Sequence, residues 1–155
     1  MSKECIKYPY QFLPCQLPTG EKKLVNNSPF DFRNEKEIGK SINVEDLQLK
    51  YGSGYDHKFY IKQNIPQKIT ICSKLFSPAS GIVINVFTDQ PGIQFFTANA
   101  FKGLDTGRTG KPIVFRSAFC LETQHFLMHK IIQIFLQQFY CPVKYLQRKR
   151  IINFL

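Results

Sequence analysis

Three short segments hold the side chains best suited to do chemistry. The first is Gly54-Tyr55-Asp56-His57. An Asp placed just ahead of a strand either closes a turn or presents a carboxylate at a sheet edge. The second runs from Thr88 to Thr97 and carries Gln94 between apolar residues. The third, Arg116 to His125, carries Glu122 inside an apolar run. A carboxylate is costly to bury unless it is paired or functional. Glu122 therefore has two readings. It is an acid paired with Arg116 or His125, or it is a general acid–base group. His57 and His125 read most simply as histidines satisfying local hydrogen bonds.

Other site chemistries find little support. The five cysteines, Cys5, Cys15, Cys72, Cys120 and Cys141, form no C-x-x-C pair and have no histidine cluster nearby. Zinc binding is not expected. The odd count suits reduced thiols, and Cys72 and Cys120 read as small buried hydrophobes. The formal charge is +10, and Phe126 to Leu155 holds five basic residues and no acid. These basic residues are not interleaved with aromatics in a nucleic-acid-binding pattern, so neither nucleic acid nor membrane is an expected partner. No apolar run approaches the ~20 residues that span a bilayer. Met1 to Tyr10 has no apolar signal core, so a cytoplasmic location is expected.

The elements that must position these side chains are mostly strands. Lys58–Lys62, Lys68–Phe76, Gly81–Thr88, Ile93–Thr97 and Ile113–Gln124 alternate or run apolar and β-branched between turn signals. Gly81–Thr88 is continuous enough to predict burial on both faces. Gln90-Pro91-Gly92 is a turn, and Gly103–Gly110 is a loop. Helical turns are expected only at Glu37–Lys40 or Val44–Leu49. Phe95 and Phe96 are expected to pack in the core rather than face a ligand. At 155 residues the chain is one domain in size, and the pattern predicts an all-β sandwich or barrel. The stretch from Phe126 changes grammar. Leu127, Met128, Ile131, Ile132, Ile134, Phe135 and Leu136 would surround most of a helix.

These motifs, in this order, resemble the C-terminal part of the aldose 1-epimerase (galactose mutarotase) family. The front segments agree: Leu17-Pro18-Thr19-Gly20-Glu21, Ser28-Pro29-Phe30-Asp31-Phe32-Arg33, and Ile38-Gly39. The resemblance covers about residues 8–126 and leaves 127–155 as an atypical basic, apolar tail. It implies part of a galactose-mutarotase-like β-supersandwich, incomplete at its N-terminal side. It implies interconversion of α and β anomers of hexoses such as galactose and glucose, with no cofactor or metal. Ring opening there uses a base on the anomeric hydroxyl and an acid on the ring oxygen. Glu122 matches the family's base, and an apolar setting would lift its pKa toward working pH. Asp56 and Gln94 match positions that hydrogen-bond sugar hydroxyls.

The departures from the family carry expectations too. The family's general acid is a His in a motif that this sequence does not contain. Weak or no turnover by this chain alone is therefore expected, and a non-catalytic carbohydrate-binding remnant is the alternative. A basic interaction protein unrelated to sugar is a third reading. Lys58 stands where the family has Asn, and Ala118 where it has Gly. Neither is expected to touch a catalytic position. The tail is expected to be a shifted reading frame: Met128-His129 read one base earlier must give Ala, and the neighbouring codons permit the family's ending. Sequencing the transcript across the Phe126 codon tests this. One extra base there restores the family ending, and an uninterrupted frame through Leu155 overturns the shift.

Overall fold

A computed structural model of the chain describes residues 6–12, 18–62, 68–125 and 150–154. Eight strands lie in two sheets. They are β1 (Ile6–Phe12), β2 (Pro18–Lys22), β3 (Asp56–Ile61), β4 (Thr70–Phe76), β5 (Val83–Thr88), β6 (Gly92–Phe96), β7 (Cys120–Gln124) and β8 (Arg150–Phe154). The first sheet has the order β2-β1-β3-β6-β7, and the second β4-β5-β8. All the pairings are antiparallel. A 3₁₀ turn (Ile38–Ser41) and one short helix, α1 (Leu47–Gly52), complete the regular elements. The expected all-β class holds, and both expected helical turns form.

One core serves both sheets. Phe59, Ile61, Ile93 and Phe95 from the first sheet cluster with Cys72 and Val86 from the second. Val25, Phe30, Phe32, Ile42, Leu49 and Tyr55 join them from the connections. The Ser28–Arg33 segment is therefore structural. Phe30 and Phe32 are buried, and between them Asp31 turns outward to a two-pronged ion pair with Arg33, with contacts of 2.6 and 2.8 Å. The Arg33 hydrogen bond lowers the Asp31 pKa. The Phe32 ring meets Phe95 edge-on at 5.6 Å, and Tyr55 stacks on Phe95 at 5.4 Å. Each such pair adds about 0.5–1.5 kcal/mol beyond the area it buries.

Several expectations are corrected. Residues 113–119 are not part of a strand, which begins only at Cys120. Their backbone groups bond loop partners instead: Ile113 N–H to the Asp105 carbonyl, and Arg116 N–H to that of Ala98. Val114 and Phe115 are exposed. Strand β5 is not buried on both faces. Val86 and Thr88 are buried and the other four residues only half-buried. Cys72 is buried, with its Sγ against the Val86 carbonyl, but Cys120 is exposed. The predicted helical tail falls largely on residues outside those described. Its described piece, β8, is a strand paired with β5.

His57 shows how the core constrains protonation. It is fully buried beneath the Phe30 ring, 4.6 Å away, and its Nδ1 accepts from the Asp56 N–H. Burial pulls its pKa down to about 3. The unfolded chain therefore binds a proton below about pH 6.5 that the folded chain refuses. The His57 contribution to stability is complete above pH 6.5 and is lost as pH falls from there toward 3. Denaturant titrations across that window should lose up to about 1.4 kcal/mol per pH unit. His57→Gln should flatten the slope, and an unchanged slope contradicts the burial.

Candidate functional site

The site begins with a turn that aims β3. Asp46 caps α1 by accepting from the N–H groups of Gln48 and Leu49, and Ser53 ends it in a left-handed conformation. Gly54 follows at φ 140°, and a Cβ there would lie 2.5 Å from Asn99 Oδ1. Only glycine fits that approach. Asn99 Nδ2 donates to the carbonyls of Gly52 and Tyr55, and Thr97 Oγ1 accepts from the Tyr55 N–H. Arg116 donates to the Ser53 carbonyl and to Asn43 Oδ1. The chain thus enters β3 with the position of Asp56 already fixed.

Register then sorts the side chains. Lys58 lies opposite Gln94, and Gln94 lies opposite Glu122. Asp56 lies opposite Phe96, which lies opposite Cys120. Side chains alternate between faces along a strand. Asp56, Lys58, Gln94, Phe96, Cys120 and Glu122 therefore share one face of β3-β6-β7. His57, Phe59, Ile93, Phe95, Leu121 and Thr123 share the other, which is the core face. All three residues expected in a sugar site are brought together. Of the two phenylalanines, Phe95 packs in the core as expected, and Phe96 sits half-buried on the site face.

Their environments differ. Gln94 Nε2 donates to Asp56 Oδ1 at 2.7 Å. Burial pushes the half-buried Asp56 carboxyl above its ordinary value, and the Gln94 bond opposes this. Gln94 Oε1 is buried and has no hydrogen-bond partner among the described residues. Glu122 is exposed, which corrects the expected burial. Its strand is the last of the five-stranded sheet, so only one neighbour covers it among the described residues. Arg116 is not the partner expected for Glu122, because its guanidinium is committed to Asn43 and Ser53.

Lys58, which is not expected to touch a catalytic position, shares the face of the candidate residues. It stands in the same cross-strand row as Gln94 and Glu122, yet is only 1% exposed. Burial pulls its ammonium down to about 8, and the Glu122 carboxylate pulls it back up. Period two along β3 was the signal that placed Lys58 beside Asp56. Two cavities, of about 520 and 460 Å³, lie elsewhere. Neither is lined by Asp56, Gln94 or Glu122. Among the described residues no three His, Cys, Asp or Glu side chains gather where they could hold a metal ion.

Comparison with known proteins identifies the family. The sequence model of the aldose 1-epimerase family matches residues 5–135. Galactose mutarotase of Sus scrofa is 39% identical over 117 residues, covering 74% of this chain and 32% of that protein. The Homo sapiens galactose mutarotase is 38% identical over 109 residues, covering 70% and 30%. This chain thus spans about a third of the length of these relatives. Among solved structures, the galactose 1-epimerase of Lactobacillus acidophilus superposes with a TM-score of 0.60 at 26% identity, over 79% of this chain and 34% of that one. An aldose epimerase homologue from C. elegans gives 0.65 at 22% identity, over 79% and 35%, and shares the fold. A family match across most of the chain, with relatives of this identity, establishes that the chain belongs to the aldose 1-epimerase family.

Proposed function

We propose that the β3-β6-β7 face binds a hexose and carries the base side of anomer interconversion. The observation that supports this most is the row set by register. It places the Asp56 carboxylate, the Gln94 amide and the Glu122 carboxylate on one polar face. Gln94 is held by Asp56 through its amide nitrogen, and its Oε1, buried and without a hydrogen-bond partner among the described residues, is an acceptor that sugar binding would have to uncover. The free oxygen of Asp56 accepts from a neighbouring hydroxyl. Hydroxyls on adjacent ring carbons need closely spaced acceptors of this kind.

Glu122 takes the proton from the anomeric hydroxyl in this reading. The ring opens as the C1–O5 bond breaks, the aldehyde end rotates, and closure on the other face returns the proton. The proton that reaches the ring oxygen comes, in the family pattern, from a histidine motif that this sequence does not contain. Turnover by this chain alone is therefore weak, and losing one member of an acid–base pair costs about 10²–10⁴-fold. Binding without turnover is the second reading. The lack of the family's histidine motif in this sequence favours it.

Polarimetry on freshly dissolved α-galactose tests the first reading. Mutarotation above the buffer rate is expected, with Glu122→Gln removing the excess by about 10²–10⁴-fold. Thermal unfolding tests the second. Galactose at a hundred times its Kd should add about 2.7 kcal/mol of stability, and Asp56→Ala or Gln94→Ala should abolish the gain. Neither acceleration nor stabilisation would sink the sugar reading altogether.

A further inference from the structure

The row of side chains that defines the site contains one member with no part in the chemistry above. Lys58 is buried to 1% exposure although it leaves the sheet on the polar face. Its stem runs sideways across β6. The crossing point is Gly92, where a Cβ would lie 2.9 Å from Lys58 Cε. Gly92 pairs with Tyr60 on one side and with Gln124 on the other. The ammonium emerges beyond β6 and donates to the backbone carbonyl of His125, the residue that follows β7. A side chain of β3 therefore holds the far edge of a three-strand unit, through a gap left by a missing side chain.

We propose that Lys58 is a positioning residue of the site: crossing β6 over Gly92, its ammonium grips the end of β7 and fixes the strand that carries Glu122. Strand β7 needs such a grip. Among the described residues its only ladder partner is β6, and an edge strand held on one side opens more readily than a central one. A charged donor on a carbonyl is a stronger tie than a neutral one. The Glu122 carboxylate supplies an opposite charge that partly offsets the effect of burial on the amine. Burial of the ammonium also keeps it from direct contact with a sugar on the face, so it acts through β7. The role of the fixed Glu122 rests on the hexose-site reading, but the strap itself does not.

The test follows amide hydrogen exchange in the full chain, strand by strand. Lys58→Met keeps the stem and removes the donor. Exchange at Thr123, Gln124 and His125 should rise roughly tenfold or more, while β4 and β5 stay as protected as before. A general structural role would instead move all strands together and lower the Tm. Lys58→Asn and Gly92→Ala supply a second line. Gly92→Ala should loosen β7 by displacing the lysine, and it should loosen it further by much less once Lys58→Asn has already removed the stem. Unchanged β7 exchange in Lys58→Met, or fully additive effects in the pair, overturns the strap. Galactose titration of the same proteins separates the two ideas. Looser β7 with weaker galactose binding supports both. Looser β7 with no galactose binding in any form, wild type included, supports the strap and overturns the sugar reading.

Discussion

Everything at the site depends on the register of β3, β6 and β7. Gln94 is the hinge of that register, facing Lys58 on one side and Glu122 on the other. Because side chains alternate with period two, a slip of one residue in β6 would turn Gln94 into the core and Phe95 into solvent. The aromatic cluster forbids this. Phe95 lies against Tyr55, Phe32 and Phe119, and Phe59 lies against Phe30 and Phe32. Removing one such ring typically costs 3–5 kcal/mol, and a slip would forfeit several of these contacts at once. The polar face is thus held in place by the apolar one.

The two faces make opposite demands on the same strands. On the core face even the polar groups serve packing, as with His57, kept neutral under Phe30. On the other face ionisable groups are retained at some cost. Asp56 is half-buried and holds Gln94, and Lys58 is buried and holds a carbonyl. Burying a charge costs several kcal/mol unless hydrogen bonds and an opposite charge offset it. Lys58 meets both parts of that condition, through the His125 carbonyl and Glu122, whereas Asp56 has the hydrogen bond from Gln94. A fold selected only for stability would have apolar residues at these positions. The proposed hexose site gives a reason for keeping a polar row here.

Much of this was legible in the sequence, and the failures have physical causes. Glu122 stands out because an acid inside an apolar run is rare without a reason, whereas Asp56 and Gln94 are singled out by the resemblance to the family's motifs. The strands β4, β5 and β6 were found because their β-branched runs end in turn residues. Glu122 was misjudged as buried because sequence shows the apolar neighbours of a residue along the chain and not the edge position of its strand. Residues 113–119 were misjudged because Ile113, Val114 and Phe115 look like a strand. Their backbone bonds go to Asp105 and Ala98, and Arg116 takes a positive φ of 58°. Lys58 is a departure from the family with no catalytic position expected of it. Its alternation with Asp56 was readable, but its path over Gly92 required the sheet.

A site spread over a fold is fragile, whereas one spread over adjacent strands is not. Asp56, Gln94 and Glu122 depend on two pairings only, β3 with β6 and β6 with β7. The turn that aims Asp56 is closed by Thr97, Asn99 and Arg116, which belong to the connection between β6 and β7. The elements that carry the side chains therefore also supply the contacts that orient them. Every contact that defines this geometry lies between residues 43 and 125, inside the part of the chain that matches the family. What such local closure does not supply is the opposing wall of a pocket. The same local closure that keeps Asp56, Gln94 and Glu122 aligned leaves Glu122 exposed on an edge strand among the described residues.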